Sequence, residues 1–334
     1  MSAAPSLLVH RGTHGVAMYG REMAEAVRRA NPAIRTVDAH DLDESDAAAP
    51  LHAHFTDRLW GDSPEEASRA FVALAAGRAI SVTLHDVPQA SDGERNLPRR
   101  RAAYAAVAAA ARGVAVNSEH ERALLREEGV WSGPAVSIPL PVALDSAVRE
   151  PDAQKHDVQE MPGDGSVGVL GYFYPGKGHD EAARAAADAG IGKMTVLGRA
   201  SDGHAAELEE FVRRAAALGV EVDVTGWLDD DEIARRGRAV SVPVIAHRHV
   251  SASGSLASWI GWGRRPVAVR NRYMDEMAAL RPGTLQTVDE PGLAVAVREA
   301  FEHPETTWHG LTRLPMSWPD AAGAYVRWWD GLTW

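Results

Sequence analysis

The feature that most constrains the fold is an alternation of short apolar, β-branched runs with longer segments of helical spacing. In the first half, the predicted strands are 6–10, 51–55, 80–84, 113–117 and 136–139. In the second half, they are 167–171, 194–198, 220–225 and 241–246. Such alternation predicts parallel sheets with helices on both faces. We therefore predict an α/β protein with two doubly wound, Rossmann-like domains that face each other across a cleft.

The segment 145–165 differs in composition from the residues around it. It is rich in Asp, Glu, Gln, Pro and Gly and has almost no large apolar residues, which is typical of a connector. We therefore predict a first domain over 1–144, a linker over 145–165 and a second domain over 166–317. The aromatic C-terminal segment 318–334 is predicted to be a helix that packs into the body of the protein, with a ligand platform as the alternative.

Charge and composition exclude several classes of protein. The formal net charge of −11 argues against binding of nucleic acid through the overall field of the protein. The one dense basic run, Arg99-Arg100-Arg101 with Arg95, is interpreted as a solvated helix start, with contact to an anionic acceptor or membrane surface as the alternative. The chain has no cysteine, so disulfides and thiolate chemistry are excluded.

No signal peptide and no run of about 18 apolar residues is found in the sequence. We therefore expect a cytoplasmic protein whose contact with a membrane, where it occurs, is peripheral. The sequence does not determine the oligomeric state.

A Ser253-Gly254-Ser255 loop precedes a short helical segment, and the turn Gly263-Arg264-Arg265-Pro266 leads from that segment into an apolar strand. The first turn of a helix offers free backbone N–H groups and the positive end of its dipole. This stretch therefore predicts a phosphate-binding site.

Polar residues also follow a predicted strand in the first half, where His85 and Asp86 end the strand 80–84. Open α/β sheets bind ligands at the carboxyl ends of their strands. His52 and His54 share one face of a strand, since alternate residues point the same way. Together with His85 and Asp86 they could form a metal site, which makes a metal-dependent hydrolase one alternative.

Most of the chain resembles the retaining, nucleotide-sugar-dependent glycosyltransferases with the GT-B fold, of the large family-four group. The pieces that carry the resemblance are, in chain order, His14-Gly15-Val16, Tyr19-Gly20-Arg21, His52-Ala53-His54-Phe55, Thr83-Leu84-His85-Asp86, Asn117-Ser118-Glu119, LGYFYPGKGHDEAARAA from Leu170, LGRASDG from Leu197, VDVTGWLDDDEIA from Val222, and the stretch from Ser253 to the Gly263 turn. Their order and spacing are more specific than any one of them.

The resemblance implies that the first domain binds an acceptor, that the second binds the nucleotide-sugar, and that the C-terminal helix crosses back to the first domain. It implies no metal and no other cofactor, because cations and helix N-termini stabilise the leaving diphosphate. It assigns Lys177 to that diphosphate and His85 to a hydroxyl of the donor sugar. Further donor-binding residues by resemblance are Gly15, Gly171, Tyr172, Arg199, Ser253, Gly254, Ser255 and Ser258, and the acceptor-side residues are Arg11, His14 and Asp86.

The sequence departs from the family at two positions. Tyr172 follows Gly171 where the family usually has an arginine, and Arg199 after Gly198 is a looser substitute. No glutamate occurs between Val250 and Arg272, although most members have two there, and Ser258 occupies the position of the later one. We therefore expect the ribose to be held differently, by Ser258.

The resemblance predicts transfer of a sugar, with retention of configuration, from a UDP- or GDP-sugar to a glycan, a lipid-linked or a small polar acceptor. One alternative is a GT-B-like protein that binds the sugar nucleotide without transfer. Another, still an enzyme, is a GT-B nucleotide-sugar epimerase or a phosphorylase-like enzyme. The hydrolase alternative would leave the second half of the chain unexplained.

Overall fold

The computed structural model describes residues 4–42, 49–149, 163–248 and 250–334. Contacts divide the chain into two compact units, which we call unit 1, Met1–Pro141 with Met316–Trp334, and unit 2, Val142–Pro315. Most of the predicted linker, 150–162, lies outside the described residues. Among the residues described, no helix is long and apolar enough to cross a membrane.

Unit 1 contains a six-stranded sheet in the order β2-β1-β3-β4-β5-β6, in which every pair of neighbours is parallel. The strands are β1 Ser6–Val9, β2 Thr36–Asp38, β3 Leu51–Phe55, β4 Ile80–Leu84, β5 Gly113–Val116 and β6 Val136–Ser137. The central strands β3 and β4 are buried along their whole length, as expected for a sheet covered on both faces. The strand that follows β1 in the chain, β2, lies on one side of it, and the later strands β3 to β6 lie on the other side. The topological switch point of this sheet therefore lies between β1 and β3.

The helices of unit 1 are α1 Gly15–Ala30, α2 Asp57–Trp60, α3 Pro64–Ala76, α4 Gly93–Ala110, α5 Glu119–Glu127 and, at the C-terminus, the helix Trp318–Asp330. Ser63 and Ser118 cap α3 and α5 by accepting from Glu66 N and Glu121 N. The sequence offers Ser63 or Asp62 as the cap of α3 and Ser118 as the cap of α5, and the structure uses Ser63 and Ser118.

The start of α4 was placed wrongly. The Ala-rich segment 98–112 predicts a helix that begins at Pro98. The helix in fact begins at Gly93 and contains Pro98. A short 3-10 turn, Ala90–Asp92, precedes it, and the Asp92 carboxylate accepts from Gln89 N. The turn extends the helix upstream, and Pro98 costs one internal hydrogen bond close to the helix start.

Unit 2 contains a second six-stranded sheet in the order β12-β11-β10-β7-β8-β9, again with parallel neighbours throughout. Its strands are β7 Val167–Leu170, β8 Lys193–Leu197, β9 Glu221–Val224, β10 Val242–Ile245, β11 Val267–Val269 and β12 Gln286–Val288. This is the strand order of a dinucleotide-binding Rossmann fold, and its switch point lies between β7 and β10.

The helices of unit 2 are α6 Ser146–Arg149, α7 His179–Ala189, α8 Ala205–Ala217, α9 Asp230–Ala239, α10 Gly254–Gly261, α11 Arg272–Leu280 and α12 Leu293–Glu302, and the C-terminal helix of unit 1 is therefore α13. The helix α11 and the strands β2 and β12 are absent from the sequence prediction. Asn271 caps α11 by accepting from Met274 N, which is a sequence signal that could have revealed the helix.

The C-terminal helix α13 packs on unit 1. Tyr325 and Trp329 are almost completely buried with α1 and β1 residues such as Met23, Val27 and Leu7. The predicted packing of the aromatic segment into the protein body is confirmed.

Candidate functional site

The carboxyl edge of the unit 2 sheet gathers most of the predicted donor-binding residues around its switch point. Lys177 lies in the loop that follows β7, and the Ser253-Gly254-Ser255 loop follows the neighbouring strand β10. Parallel strands place both loops at the same edge of the sheet. This is where open α/β sheets bind ligands.

Lys177 is partly buried and forms no ion pair within the described part of the chain. Its Nζ atom lies 5.8 Å from the centre of the Tyr174 ring. Burial lowers the pKa of Lys177 to about 8. A desolvated ammonium group without a carboxylate is suited to binding an anion, which would repay part of the desolvation cost.

Two buried histidines, His179 and His247, are affected by the charge of Lys177. Burial and then the charge of Lys177 lower the pKa of His179 to about 3, and the same two causes lower the pKa of His247 well below its usual value. Both rings are therefore neutral, and they leave Lys177 as the cation of this cluster.

The Lys177 loop is held against the end of β10 by its backbone. Gly178 has a φ of +94°, and a Cβ there would lie 2.3 Å from the carbonyl group of Ala246. Arg248 N donates to Gly176 O at 3.2 Å. Position 178 thus requires glycine, because a residue with a Cβ could not approach the Ala246 carbonyl group so closely.

The Ser253-Gly254-Ser255 loop forms the N-terminus of α10, as predicted. Ser253 Oγ caps the helix by accepting from Leu256 N at 3.2 Å, and Ser253 N donates to the Tyr273 hydroxyl. Among the described residues, the amides of Gly254 and Ser255 have no acceptor, and Gly254 is exposed. Two free N–H groups at a helix N-terminus form an anion site.

Ser258, the predicted ribose contact, is one turn along α10. Its hydroxyl donates to Gly254 O at 3.2 Å and is half-buried. The two lone pairs of Ser258 Oγ remain able to accept from a ligand hydroxyl.

A glycine followed by a large side chain comes within two residues after each of three neighbouring strands of unit 2, at Gly171-Tyr172, Gly198-Arg199 and Gly226-Trp227. The glycines are adjacent, since Gly171 N donates to Leu197 O and Gly226 N donates to Gly198 O. The Arg199 guanidinium stacks on the Tyr172 ring at 5.1 Å. Arg199 thus lies beside the position where the family arginine is missing.

Trp227 was not identified as a site residue from the sequence. Its side chain is 64% exposed, the largest exposure of any large hydrophobic residue in the described part of unit 2. A tryptophan left in water at a ligand-binding edge indicates a stacking surface. The repeated glycine–large residue pattern was the sequence signal that could have found it.

Two predicted acceptor-side residues of unit 1, Arg11 and His14, follow β1 at the switch point, and the predicted donor-binding residue Gly15 comes next in the chain. His14 caps α1, since its Nδ1 accepts from Val16 N at 3.2 Å. Gly15 begins this helix and is exposed, with open space where a Cβ would stand. Arg11 pairs with Asp38 and Asp41 at 2.7 Å each.

His85 lies at the end of β4 and is 5% exposed. Asn117 Nδ2 lies 3.2 Å from His85 Nδ1, and His54 Nδ1 lies 3.1 Å from His85 Nε2. The same Asn117 amide nitrogen contacts Glu121 Oε2 and Leu84 O, which only accept, and this fixes the orientation of the amide. His85 Nδ1 therefore carries no proton, and its Nε2–H donates to His54.

His52 and His54 do share one face of β3, with ring centres 5.0 Å apart. Their nitrogens bond to protein groups, however, because His52 Nδ1 and Nε2 contact Ser81 and Thr83 and His54 Nδ1 contacts His85. In the described ranges, no group of three or more histidines and carboxylates is arranged to hold a metal ion. The three histidines proposed for a hydrolase metal site are thus bonded inside the protein, His52 to Ser81 and Thr83 and His54 to His85.

Asp86 is the exposed polar group at this edge. It is one of two non-glycine residues with positive φ in the described part of the chain, at φ 52°. Thr56 Oγ1 donates to Asp86 Oδ2 at 3.2 Å, and the Asp86 carbonyl accepts from Arg100 at 2.7 Å. Backbone strain that surrounding contacts hold in place is typical of functional sites.

The basic run on α4 is paired with carboxylates. Arg99 binds Glu65 through two hydrogen bonds, Arg100 binds Asp57 and Asp92, and Arg101 contacts Glu128. Three of the four positive charges predicted for this run are therefore balanced.

No protein-family model and no curated protein matches the chain. Its fold does match solved structures over nearly its whole length. Sucrose-phosphate synthase from Thermosynechococcus elongatus has a TM-score of 0.71 at 17% identity, over 98% of this chain and 98% of that one. HepE from Anabaena, solved with UDP and glucose, has a TM-score of 0.65 at 14% identity, over 97% and 95%.

A UDP-forming α,α-trehalose-phosphate synthase from Burkholderia xenovorans has a TM-score of 0.54 at 12% identity, over 94% of this chain and 74% of that one. These proteins are glycosyltransferases with the GT-B fold, and this chain has the same fold. The predicted α/β class with two doubly wound sheets is confirmed.

Proposed function

We propose that this chain transfers a sugar from a nucleotide diphosphate sugar to an acceptor hydroxyl. One observation carries the proposal. At the switch point of unit 2, Lys177, which has no carboxylate partner among the described residues, lies at the same sheet edge as the free amides of Gly254 and Ser255. A cation and a helix N-terminus at one sheet edge form a binding site for a diphosphate. The GT-B fold supports this assignment.

The diphosphate develops negative charge as the bond to the sugar breaks. Lys177 and the α10 amides would stabilise that charge without a metal ion, since they are already in place and partly dehydrated. Arg199 would add a second cation from the stack on Tyr172. Gly15, exposed at the start of α1, would allow a ligand to approach the backbone.

The nucleoside would lie along the same edge of unit 2. Ser258 Oγ can accept from a ribose hydroxyl while it donates to Gly254 O. The exposed Trp227 ring offers a stacking surface for the base, and UDP and GDP are the two candidates. Stacking does not discriminate between bases, so we propose that discrimination comes from backbone contacts.

We further propose that configuration is retained and that the leaving phosphate oxygen takes the acceptor proton. In this mechanism the glycosidic oxygen–carbon bond forms as the carbon–phosphate oxygen bond breaks, and no side-chain base is needed. The geometry of His85 supports it, because its Nδ1 faces an amide donor and its Nε2–H is bonded to His54. The acceptor would be a glycan, a lipid-linked or a small polar molecule.

The test is a panel of UDP-, GDP- and ADP-sugars incubated with the protein and analysed by mass spectrometry for hydrolysis and transfer. NMR of the product anomer tests retention. Cleavage of one donor class with an axial donor giving an axial product supports the proposal. Binding of a donor by calorimetry without any cleavage would instead favour a protein that binds sugar nucleotides, and absence of binding at millimolar concentrations would contradict both.

A further inference from the structure

The α4 residue Arg100 differs from its neighbours in what it binds. Its side chain is 14% exposed, whereas those of Arg99 and Arg101 are 40% exposed. The guanidinium contacts groups from three separate places at the carboxyl edge of the unit 1 sheet. These are the Asp57 carboxylate after β3, the Asp86 carbonyl after β4, and the Asp92 carboxylate in the 3-10 turn.

All three nitrogens of the Arg100 guanidinium donate hydrogen bonds. Arg100 Nε lies 3.0 Å and Nη2 3.3 Å from the two Asp57 oxygens, and Nη1 lies 2.6 Å from Asp92 Oδ2. Arg100 Nη2 also donates to Asp86 O at 2.7 Å. Only a planar guanidinium presents donors in this arrangement, because an ammonium group is a single point of charge.

The loop that Arg100 holds is the one that contains the strained Asp86. Its φ of 52° is rare for a residue with a side chain, and Asp and Asn tolerate it best. Two contacts fix the residue, with Arg100 on its carbonyl and Thr56 on its carboxylate. The carboxylate remains exposed at the edge of the sheet.

The backbone on either side of Asp86 is fixed as well. Tyr104, one turn after Arg100 on α4, donates from its hydroxyl to His85 O at 2.8 Å. Asp92 Oδ2, which binds Arg100, also accepts from Gln89 N. One face of α4 therefore holds consecutive carbonyls at the end of β4 and closes the loop that follows.

We infer that Arg100 is a positioning residue that fixes the direction in which the Asp86 carboxylate meets the acceptor. This inference rests on the proposed function and on the acceptor site that the family resemblance implies for the first domain. Arg100 itself touches no substrate and acts through Asp86. Because His85 is bonded on both ring nitrogens, the Asp86 carboxylate is the exposed group of the His85-Asp86 pair that can accept from an acceptor hydroxyl.

The test compares Arg100→Lys with the matched control Arg99→Lys, which changes the same residue type on the same helix at a half-exposed ion pair with Glu65. Hydrogen exchange of residues 86–92 is measured in both. We expect faster exchange of this segment in Arg100→Lys and no change in Arg99→Lys, with unchanged exchange in β3 and β4 in both variants. Unchanged exchange of residues 86–92 in Arg100→Lys would overturn the inference.

The second readout separates donor cleavage from transfer, with water and then a panel of hexoses and hexose phosphates as acceptors. We expect transfer by Arg100→Lys to fall roughly 10- to 100-fold with donor hydrolysis retained. Asp86→Asn should show the same split with normal exchange of the loop, and the double variant should lose little more than either single variant. Equal loss of hydrolysis and transfer, or additive losses, would overturn the inference.

The two proposals fail in different ways. A wild-type protein that cleaves no donor would contradict the proposed function before any variant is made. Hydrogen exchange still measures the hold of Arg100 on the loop in that case, since it needs no substrate.

Discussion

His85 Nε2 lies 3.1 Å from His54 Nδ1, so two neutral histidines share a hydrogen bond inside unit 1. Burial lowers the pKa of His54 to about 3 and the pKa of His85 and His52 well below the usual value. A separate set of hydrogen bonds starts from His52, which contacts Thr83, and the Thr83 hydroxyl lies 2.9 Å from the Tyr325 hydroxyl of α13. The C-terminal helix is thus connected to His52 of the sheet.

Because the pKa of these three histidines is lowered in the folded protein, we expect the free energy of unfolding to decrease in acid. In the unfolded chain they take up protons below about pH 6.5, while in the folded protein they stay neutral to much lower pH. Their stabilising contribution is therefore complete above about pH 7 and is lost as the pH falls from about 6.5 towards about 3, the pKa of His54 in the folded protein. Thermal unfolding over this range measures it. His54→Asn keeps an acceptor for His85 and should show a shallower pH dependence, whereas a slope equal to that of the wild type would contradict the prediction.

Replacement of Lys177 by methionine should stabilise the protein without ligand. The lysine is desolvated and has no carboxylate partner in the described residues, so its charge is a net cost to folding. We expect Lys177→Met to raise the free energy of unfolding by on the order of 1 kcal/mol, measured by urea denaturation. Lys193→Met, at the opposite edge of the sheet, serves as the control and should change little. A lower free energy of unfolding in Lys177→Met than in the wild type would contradict this prediction, because it would mean that the lysine makes a net stabilising contribution.

Binding of UDP or GDP should weaken as the pH rises above about 8, the value to which burial lowers the pKa of Lys177. The ammonium form binds the diphosphate, and it is lost as the pH rises through that value. Calorimetric titration from about pH 7 to about pH 9 tests this. Lys177→Arg should remove the pH dependence, because arginine stays charged throughout this range.

Truncation of Trp329 should greatly reduce the stability of the fold, and truncation of Trp227 should leave it almost unchanged. Trp329 is 1% exposed in the α13 interface, so Trp329→Ala should lose about 3–5 kcal/mol of stability. Trp227 is 64% exposed, so Trp227→Ala should change stability by less than about 0.5 kcal/mol while it weakens nucleotide binding. Unfolding and binding measured on both variants would contradict the account if Trp227→Ala bound UDP and GDP as well as the wild type.

The strands other than β2 and β12 could be predicted because each is a short apolar run bounded by polar or glycine residues. The site loops of unit 2 followed from Gly176, Gly178 and Ser253, whose roles depend on backbone geometry that the residue type reveals. The domain assignment and the roles of the site residues remain predictions.

Other features could not be predicted because they depend on contacts distant in sequence. The Arg100 fork joins Asp57 and Asp86, and the hydrogen bond between His54 and His85 joins two strands. Neither relationship leaves a local pattern. The start of α4 at Gly93 depended on a turn whose polar residues resemble an ordinary loop.

The assignment of Lys177 to the diphosphate site can be tested by donor cleavage, measured side by side for the wild type, Lys177→Met and Lys193→Met on the UDP- and GDP-sugar panel. We predict that Lys193→Met cleaves the preferred donor at the wild-type rate, and that Lys177→Met is folded but slower by roughly 100-fold or more. Turnover of Lys177→Met close to that of the wild type would contradict the claim that this lysine and the α10 amides form the diphosphate site.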